Sequence, residues 1–181
     1  MSDVLQNLLK QDSEFSESKF KSKVENEFVK IKLSMVTGKT EKIKHFVSEE
    51  VYAKIVNKVQ EDINNNRIQM YDELNVYEVT ITNIEELEDR FKITVRVHSK
   101  ALVYYLNRAK RKFLSGNNKS RSDEFSALVF EKIKDARTLG QARKCPYCAA
   151  NLDLNNTGKC NYCGAIFPLQ NYDWVITHMD I

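Results

Sequence analysis

The chain has few residues that break structure. Its 181 residues include five glycines and two prolines, which excludes long flexible linkers and Pro-rich recognition tracts, and it holds no internal repeat or low-complexity segment. It also lacks a membrane-length hydrophobic stretch: its longest apolar run is residues 101–106, against about 20 residues for a spanning helix. Any membrane contact is therefore expected to be peripheral. Charge of one sign is lacking too. Twenty-eight Lys and Arg against 25 Asp and Glu leave a formal net charge of +3, too small to announce a nucleic-acid binder. The three histidines, His45, His98 and His178, are scattered, and no catalytic constellation assembles around them, so no enzyme is expected. Residues 1–10 carry neither a basic leader nor an adequate apolar core, so no secretory signal is expected there, and a reducing, cytoplasmic setting follows.

The chemistry that is present sits in one place. All four cysteines fall in two Cys-x-x-Cys pairs, Cys145 with Cys148 and Cys160 with Cys163. Each pair lets one tight turn aim two sulfurs at a common point, and two such turns close a tetrahedron. Zn²⁺ prefers that geometry, and with all four positions filled by thiolate it has no vacancy for a substrate water, so the expected metal is structural. Arg143, Lys144 and Lys159 stand nearby to offset the excess negative charge. Gly164 directly follows the last ligand and can take the left-handed backbone that points amide N–H groups at sulfur; Ala149 holds that place in the first turn, at some cost or with a shifted geometry. Disulfides are disfavoured by the reducing setting, and a redox dithiol needs one Cys-x-x-Cys at a helix start rather than two facing each other.

Elsewhere the hydrophobic pattern divides the chain into helices, then strands. Val4, Leu5, Leu8 and Leu9 share one helical face, too short to stand alone in water, and must dock on their own domain, a partner subunit or a membrane surface. Docking is favoured, since Lys10 is the only base there. Ser16 can cap a second helix, Phe15 can staple onto Phe20, and Phe20, Val24, Phe28, Ile31 and Met35 recur at helical steps until Gly38. A short helical stretch over residues 41–46, capped by Thr40, precedes a third helix opened by Ser48, with Val47 and Tyr52 as a second staple. Tyr52, Ile55, Val56, Val59 and Ile63 make its buried face, and Asn64, Asn65 and Asn66 stop it. Tyr77, Val79 and Ile81 then alternate with polar residues as a strand with one dry face. A long strand runs from Phe91 to Tyr105, bent near Ser99, with His98 facing away from Val95 and Val97. A third strand over residues 124–134 carries Phe125, Ala127, Val129 and Ile133 on one face and Leu128 and Phe130 on the other. The last segment, residues 172–181, can pair back against it. Helices first and strands after imply an α+β fold with an antiparallel sheet.

The chain resembles the Tim44-like domain family, in the bacterial form with a zinc ribbon before a terminal Asp-Trp-Val segment, here Asp173, Trp174 and Val175. The resemblance rests on residues 12–16 leading into the helix with Phe20, on residues 40–51, on the strand-rich half and on Trp174. The chain departs from the pattern at Ser13, where proline is usual, and at Leu128-Val129-Phe130, where a Trp-Thr-Phe run is common. The resemblance implies a cone similar to nuclear transport factor 2, with helices covering a curved antiparallel sheet around an apolar pocket. It divides the chain into an amphipathic arm (1–14), the Tim44-like domain (15–140), an inserted zinc ribbon (141–170) and a terminal strand returning to the sheet (171–181). The mitochondrial relatives are peripheral inner-membrane proteins that bind anionic lipid and tether an import motor. What that implies here is a non-enzymatic, membrane-proximal adaptor or lipid-binding module, partnered by an anionic membrane surface or a membrane-bound protein, on the inner face of the cell membrane.

Residues 107–122 supply a surface for that role. Arg108, Lys110, Arg111, Lys112, Lys119 and Arg121 face no acid within the segment, and Phe113 and Leu114 offer an apolar tip. An ordinary solvated hairpin loop is the plain alternative. A nucleic-acid-binding zinc ribbon is the other function in view, with Tyr147 and Tyr162 stacking on bases and the same basic residues meeting phosphate.

Overall fold

The computed structural model describes residues 2–12, 15–134, 145, 148–150, 160, 162–164 and 173–180. In chain order these form α1 (Ser2–Gln11), α2 (Glu17–Thr37), a single 3-10 turn (Thr40–Lys42), α3 (Glu49–Asn64) and the strands β1 (Arg67–Glu86), β2 (Arg90–Asn107), β3 (Phe113–Gly116), β4 (Ser122–Ile133) and β5 (Val175–Met179). The architecture is α+β, with helices followed by a curved, open antiparallel sheet. Its order is β1-β2-β4-β5, and β3 folds back on the last residues of β2.

The amino-terminal arm packs on this same sheet. Leu8 is fully buried, Val4 and Leu5 lean on the core, and Asn7 Nδ2 donates to Glu86 Oε2 of β1 at 3.1 Å. Asp12 then pairs with Lys132 of β4. Leu9, expected on the buried face, is 44% exposed.

Helix α2 follows the expected pattern. Phe20, Val24, Phe28 and Ile31 are buried, and Gly38, at φ 73°, closes the helix by donating its N–H to Ser34 O at 2.8 Å. Ser16 occupies the cap position in extended backbone, although its side chain makes no cap hydrogen bond. The helical stretch expected over residues 41–46 is instead one 3-10 turn. Its N–H groups reach back three residues, from Ile43 to Thr40 and from Lys44 to Glu41, as does Phe46 to Ile43 beyond it; this brings Ile43 and Phe46 into the core together. Ser48 caps α3, its Oγ accepting from Val51 N–H at 3.3 Å. The buried stripe of α3 is Val51, Ile55, Val59 and Asp62, rotated from the expected one; Tyr52 flanks it and donates its hydroxyl to Glu41 at 2.9 Å. Val47, buried in the core against which Tyr52 packs, also forms a backbone bridge to Ile176 of β5.

The sheet differs from expectation mainly in β1. It begins at Arg67, ten residues before the alternation becomes visible, because one-residue bulges interrupt its period: it gains an extra residue over β2 between Asp72 and Asn75, at Tyr77 and at Thr82. Two of these bulges lie opposite residues 98–102 of β2, where the small Ser99 and Ala101 were expected to allow a bend. As the extra residue of its bulge, Tyr77 leaves the dry face that Val79 keeps and is 51% exposed. On β4 the core takes Ser126, Leu128 and Phe130, and leaves Phe125 and Ala127 outside.

Strand β5 closes the sheet. It pairs antiparallel with β4, Leu128 opposite Met179 and Phe130 opposite Ile176. Just before it, Trp174 is 4% exposed, its ring centroid 5.3 Å from that of Phe20 and 6.0 Å from that of Phe15, while Phe20 meets Phe130 at 5.2 Å. The Phe15–Phe20 staple is present at 5.7 Å. Asp173 accepts from Lys23 Nζ at 2.8 Å and from the Trp174 N–H at 2.7 Å. Lys23 also pairs with Glu27 at 2.7 Å.

Burial pushes the Glu27 carboxyl up to about 7, because water is withheld from its charged form; Lys23 pulls it down and Asp173 adds to the rise. The same burial works against the Lys23 ammonium, but Glu27 and Asp173 outweigh it and hold its pKa above the ordinary lysine value. In the unfolded chain Glu27 ionises near 4.5. Its contribution to stability is thus complete below that pH and is lost as pH rises through 7. We expect urea-denaturation stability of the native protein to fall between pH 5 and pH 8 by up to about 3 kcal/mol more than that of Glu27→Gln; parallel curves for the two proteins would remove Glu27 from the account.

Candidate metal centre and basic hairpin

The four cysteine sulfurs come together, all within 4.8 Å of one another. Cys145 Sγ lies 3.6 Å from Cys163 Sγ, and Cys148 Sγ lies 3.6 Å from Cys160 Sγ. At a Zn–S distance of about 2.3 Å, tetrahedral corners stand about 3.8 Å apart, so the spacing suits a four-thiolate metal site. The cysteines are not bonded to one another as disulfides. Cys145 and Cys160 are buried, Cys148 and Cys163 exposed, so each turn contributes one sulfur from each environment.

The two turns have the same backbone. The Ala149 N–H donates to Cys145 O at 2.8 Å and the Gly164 N–H to Cys160 O at 2.9 Å, with φ of 56° and 73°. Ala149 therefore keeps the left-handed geometry instead of shifting it, and bears a strain that glycine avoids. This geometry turns amides toward sulfur. The Cys163 N–H holds the Cys160 thiol down at about 6, against desolvation, with the Tyr162 N–H assisting. At Cys148 the Ala150 N–H acts in the same sense, but desolvation and the three neighbouring sulfurs outweigh it and push that thiol up to about 12. A dication held there would favour the thiolate at every one of the four sulfurs. Arg143, Lys144, Lys159 and Tyr147 lie outside the described residues. Tyr162 is 76% exposed.

The basic segment is more ordered than a plain loop. Asn107 organises its first turn: its Oδ1 accepts from the Lys110 N–H, its carbonyl from the Arg111 N–H, and its own N–H donates to Lys112 O. Strand β3 then pairs with β2, Tyr104 opposite Gly116 and Leu106 opposite Phe113. Gly116, at φ 98°, sits where a Cβ would stand 2.6 Å from Tyr104 Cα. Asn117 Oδ1 accepts from the Lys119 and Ser120 N–H groups in the second turn. Arg108, Lys110, Arg111, Lys112 and Lys119 are exposed and form no salt bridge among the described residues, while Arg121 reaches Glu73 of β1 at 3.8 Å. Phe113 and Leu114 are both about half exposed; Phe113 stands opposite Leu106, and Leu114 is the extra residue of a bulge before Ser115 pairs with Tyr105.

The three histidines stay apart. His98 faces outward, as expected, between the rings of Tyr77 and Phe125, and its Nε2 meets Asp123 at 2.6 Å. His178 lies beside Asp180 at 3.6 Å on the surface, and burial, with Lys30 and Lys23, lowers His45.

The model of the Tim44-like domain matches residues 1–140, from α1 through β4. The chain belongs to the Tim44-like family. No curated protein matches it. The matched residues of this Tim44-like chain hold the basic hairpin but stop short of the four cysteines and of β5. Tim44-like domains are generally non-catalytic and associated with membranes and partner proteins; among the described residues, no helix is long and apolar enough to cross a membrane.

The interior of the Tim44-like domain holds buried polar groups at two places that the sequence pattern did not reveal: Glu27 with Lys23 near Trp174, and a second cluster around Tyr71. There Lys32 Nζ lies 2.8 Å from Glu124 Oε1 and 4.4 Å from the centre of the Tyr71 ring. Burial, then the Glu124 charge, raises the Tyr71 hydroxyl well above its usual range. Ser99 Oγ, Gln69 Oε1 and Glu124 Oε2 are buried there without a hydrogen-bond partner among the described residues.

The strain at the first cysteine turn is testable. Ala149→Gly should stabilise the protein by about 0.5–1 kcal/mol, since glycine takes positive φ without a Cβ clash, and Gly164→Ala should do the reverse. Thermal melts of the two variants that shift in the same direction would contradict the matched geometry of the two turns.

Proposed function

We propose that this chain is a non-enzymatic Tim44-like module that works beside a membrane, on the cytoplasmic face, where the hairpin over residues 107–122 meets anionic lipid or an anionic surface of a membrane-bound protein. The observation that carries the reading is the row of Arg108, Lys110, Arg111, Lys112 and Lys119, exposed and without an ion-pair partner among the described residues, on a hairpin ordered by two asparagine-organised turns. Near an anionic leaflet each such base contributes about 1 kcal/mol, enough for reversible attachment that weakens with salt. Phe113, exposed beside them, can add apolar burial.

The four cysteines are proposed to hold one structural Zn²⁺, with Cys145, Cys148, Cys160 and Cys163 as its ligands. Support comes from sulfur spacing, from the amides directed at Cys160 and Cys148, and from a ligand set that leaves no open position. On this reading residues 141–170 form a ribbon inserted between β4 and residues 171–181, and the metal sets where the chain re-enters the sheet.

A second reading is kept by one observation. Tyr162 is exposed instead of being packed on the described residues, which leaves its ring free to stack on a base. A nucleic-acid-binding ribbon would use it together with the same lysines and arginines.

Co-sedimentation with vesicles tests the first reading. Phosphatidylcholine vesicles containing acidic phospholipid should bind the full chain at low salt and release it as salt rises, and replacing Arg108, Arg111, Lys110 and Lys112 with serine should lower the bound fraction at least about tenfold. Equal binding to neutral vesicles would defeat it. A single-stranded RNA that binds instead, and loses affinity with Tyr162→Ala, would transfer the assignment to nucleic acid. For the metal, elemental analysis should find one zinc per chain, lost in Cys145→Ser and Cys163→Ser while helical circular dichroism persists. Chelation should lower the melting temperature, and an unchanged melt with zinc demonstrably gone would refute a structural role.

A further inference from the structure

An open sheet has two edges, and each leaves a row of backbone groups to satisfy. At the β5 edge the chain supplies its own cover: the Ile176 N–H donates to Phe46 O at 3.0 Å, and the Ser48 N–H donates to Ile176 O at 2.8 Å. At the β1 edge it does not. Among the described residues β1 pairs only with β2, and no backbone hydrogen bond reaches its outer side between residues 76 and 82.

A groove of about 510 Å³ runs along that bare stretch, between β1 and the first half of α2. Glu17, Lys21 and Glu25 line it from the helix, and Tyr77, Glu78 and Val79 from the strand. Lys21 is taken by Glu17 at 2.8 Å, whereas Glu25 and Glu78 have no ion-pair partner among the described residues. The groove is therefore acidic in a protein whose formal net charge is +3. The bulges at Tyr77 and Thr82 protect most of the edge by breaking its regularity, yet they frame four residues, Glu78, Val79, Thr80 and Ile81, in unbroken register with β2. Four residues extend about 13 Å, a length that a short peptide strand can match.

We propose that this groove is the docking site for a short, basic, extended segment of a partner protein, which adds a strand to β1 at residues 78–81 and places its cationic side chains against Glu25 and Glu78. Main-chain pairing supplies the attachment, and the two carboxylates select a basic partner over an acidic one. The site is independent of the hairpin, because an acidic groove repels the anionic surface that the hairpin would attract.

The test uses the full chain and a fluorescein-labelled, end-blocked hexapeptide of alternating lysine and valine, followed by anisotropy at low salt. Two control peptides accompany it: one with glutamate in place of lysine, and one with the original charges but alternate backbone nitrogens methylated so that it cannot join a sheet. The basic peptide should bind saturably and slow amide exchange at residues 78–81. Glu25→Gln combined with Glu78→Gln should weaken it at least about tenfold, as should methylation. Both glutamates are exposed, so the variant should keep the native melting temperature. Absence of saturable binding, equal binding of the acidic or methylated peptide, or indifference to the double variant would overturn the proposal. So would self-association of the chain that the double variant abolishes, which would make a second copy the occupant.

Discussion

The fold depends on one aromatic contact. Trp174 enters the interior beside Phe15 and Phe20, and Phe20 in turn meets Phe130 edge-on. That insertion fixes where the chain re-enters the core, and the burial of Ile176 and Met179 with the backbone bonds of Ile176 to Phe46 and Ser48 then holds β5 against β4. An indole ring brings a large buried area and two aromatic partners to a single point, which a short five-residue strand cannot match by backbone pairing alone. Asp173 secures the same position by engaging Lys23 and the Trp174 N–H.

That contact also explains how a four-cysteine cluster and a Tim44-like domain share one chain. The family match covers the helices and the sheet through β4, whereas the strand that completes the sheet comes after the cysteines. A four-thiolate site joins two tight turns over a short distance, so it can be added between two strands with only local consequences, provided the returning strand is anchored. Trp174 is that anchor, and the Val47–Ile176 bridge seals the far side of β5. Ion pairs flank the core at two places, Lys23 with Glu27 and Asp173 beside Trp174, and Lys32 with Glu124 beside Tyr71.

Much of this was legible in the sequence, for local reasons. The cysteine spacing implied a four-sulfur cluster because each Cys-x-x-Cys turn is defined within four residues. Gly38 as the end of α2, Ser48 as the cap of α3 and the Phe15–Phe20 staple are likewise short-range features. The alternation of Phe91, Ile93, Val95 and Val97 identified the central strand because both its edges are paired in regular register there and its inner face meets the helices in one core. The first ten residues of β1 were not legible, since bulges reset the period on which such a reading relies. The buried stripe of α3 was placed one step off because Tyr52 reaches out to Glu41 and leaves Val51 to face the core.

The sequence by itself determined the order of helices and strands, the pairing of four thiols in two tight turns and the family to which the chain belongs, since all of these follow from the identities and spacing of residues close together along the chain. Tertiary structure alone decided which face of β4 is buried, that Leu114 bulges out of the pairing of β3 with β2, that Lys32 finds Glu124 and that, among the described residues, one sheet edge is covered while β1 is bare between residues 76 and 82. Those outcomes depend on bulges, register and contacts between segments far apart in sequence, where the energy of a residue is set by its neighbours in space.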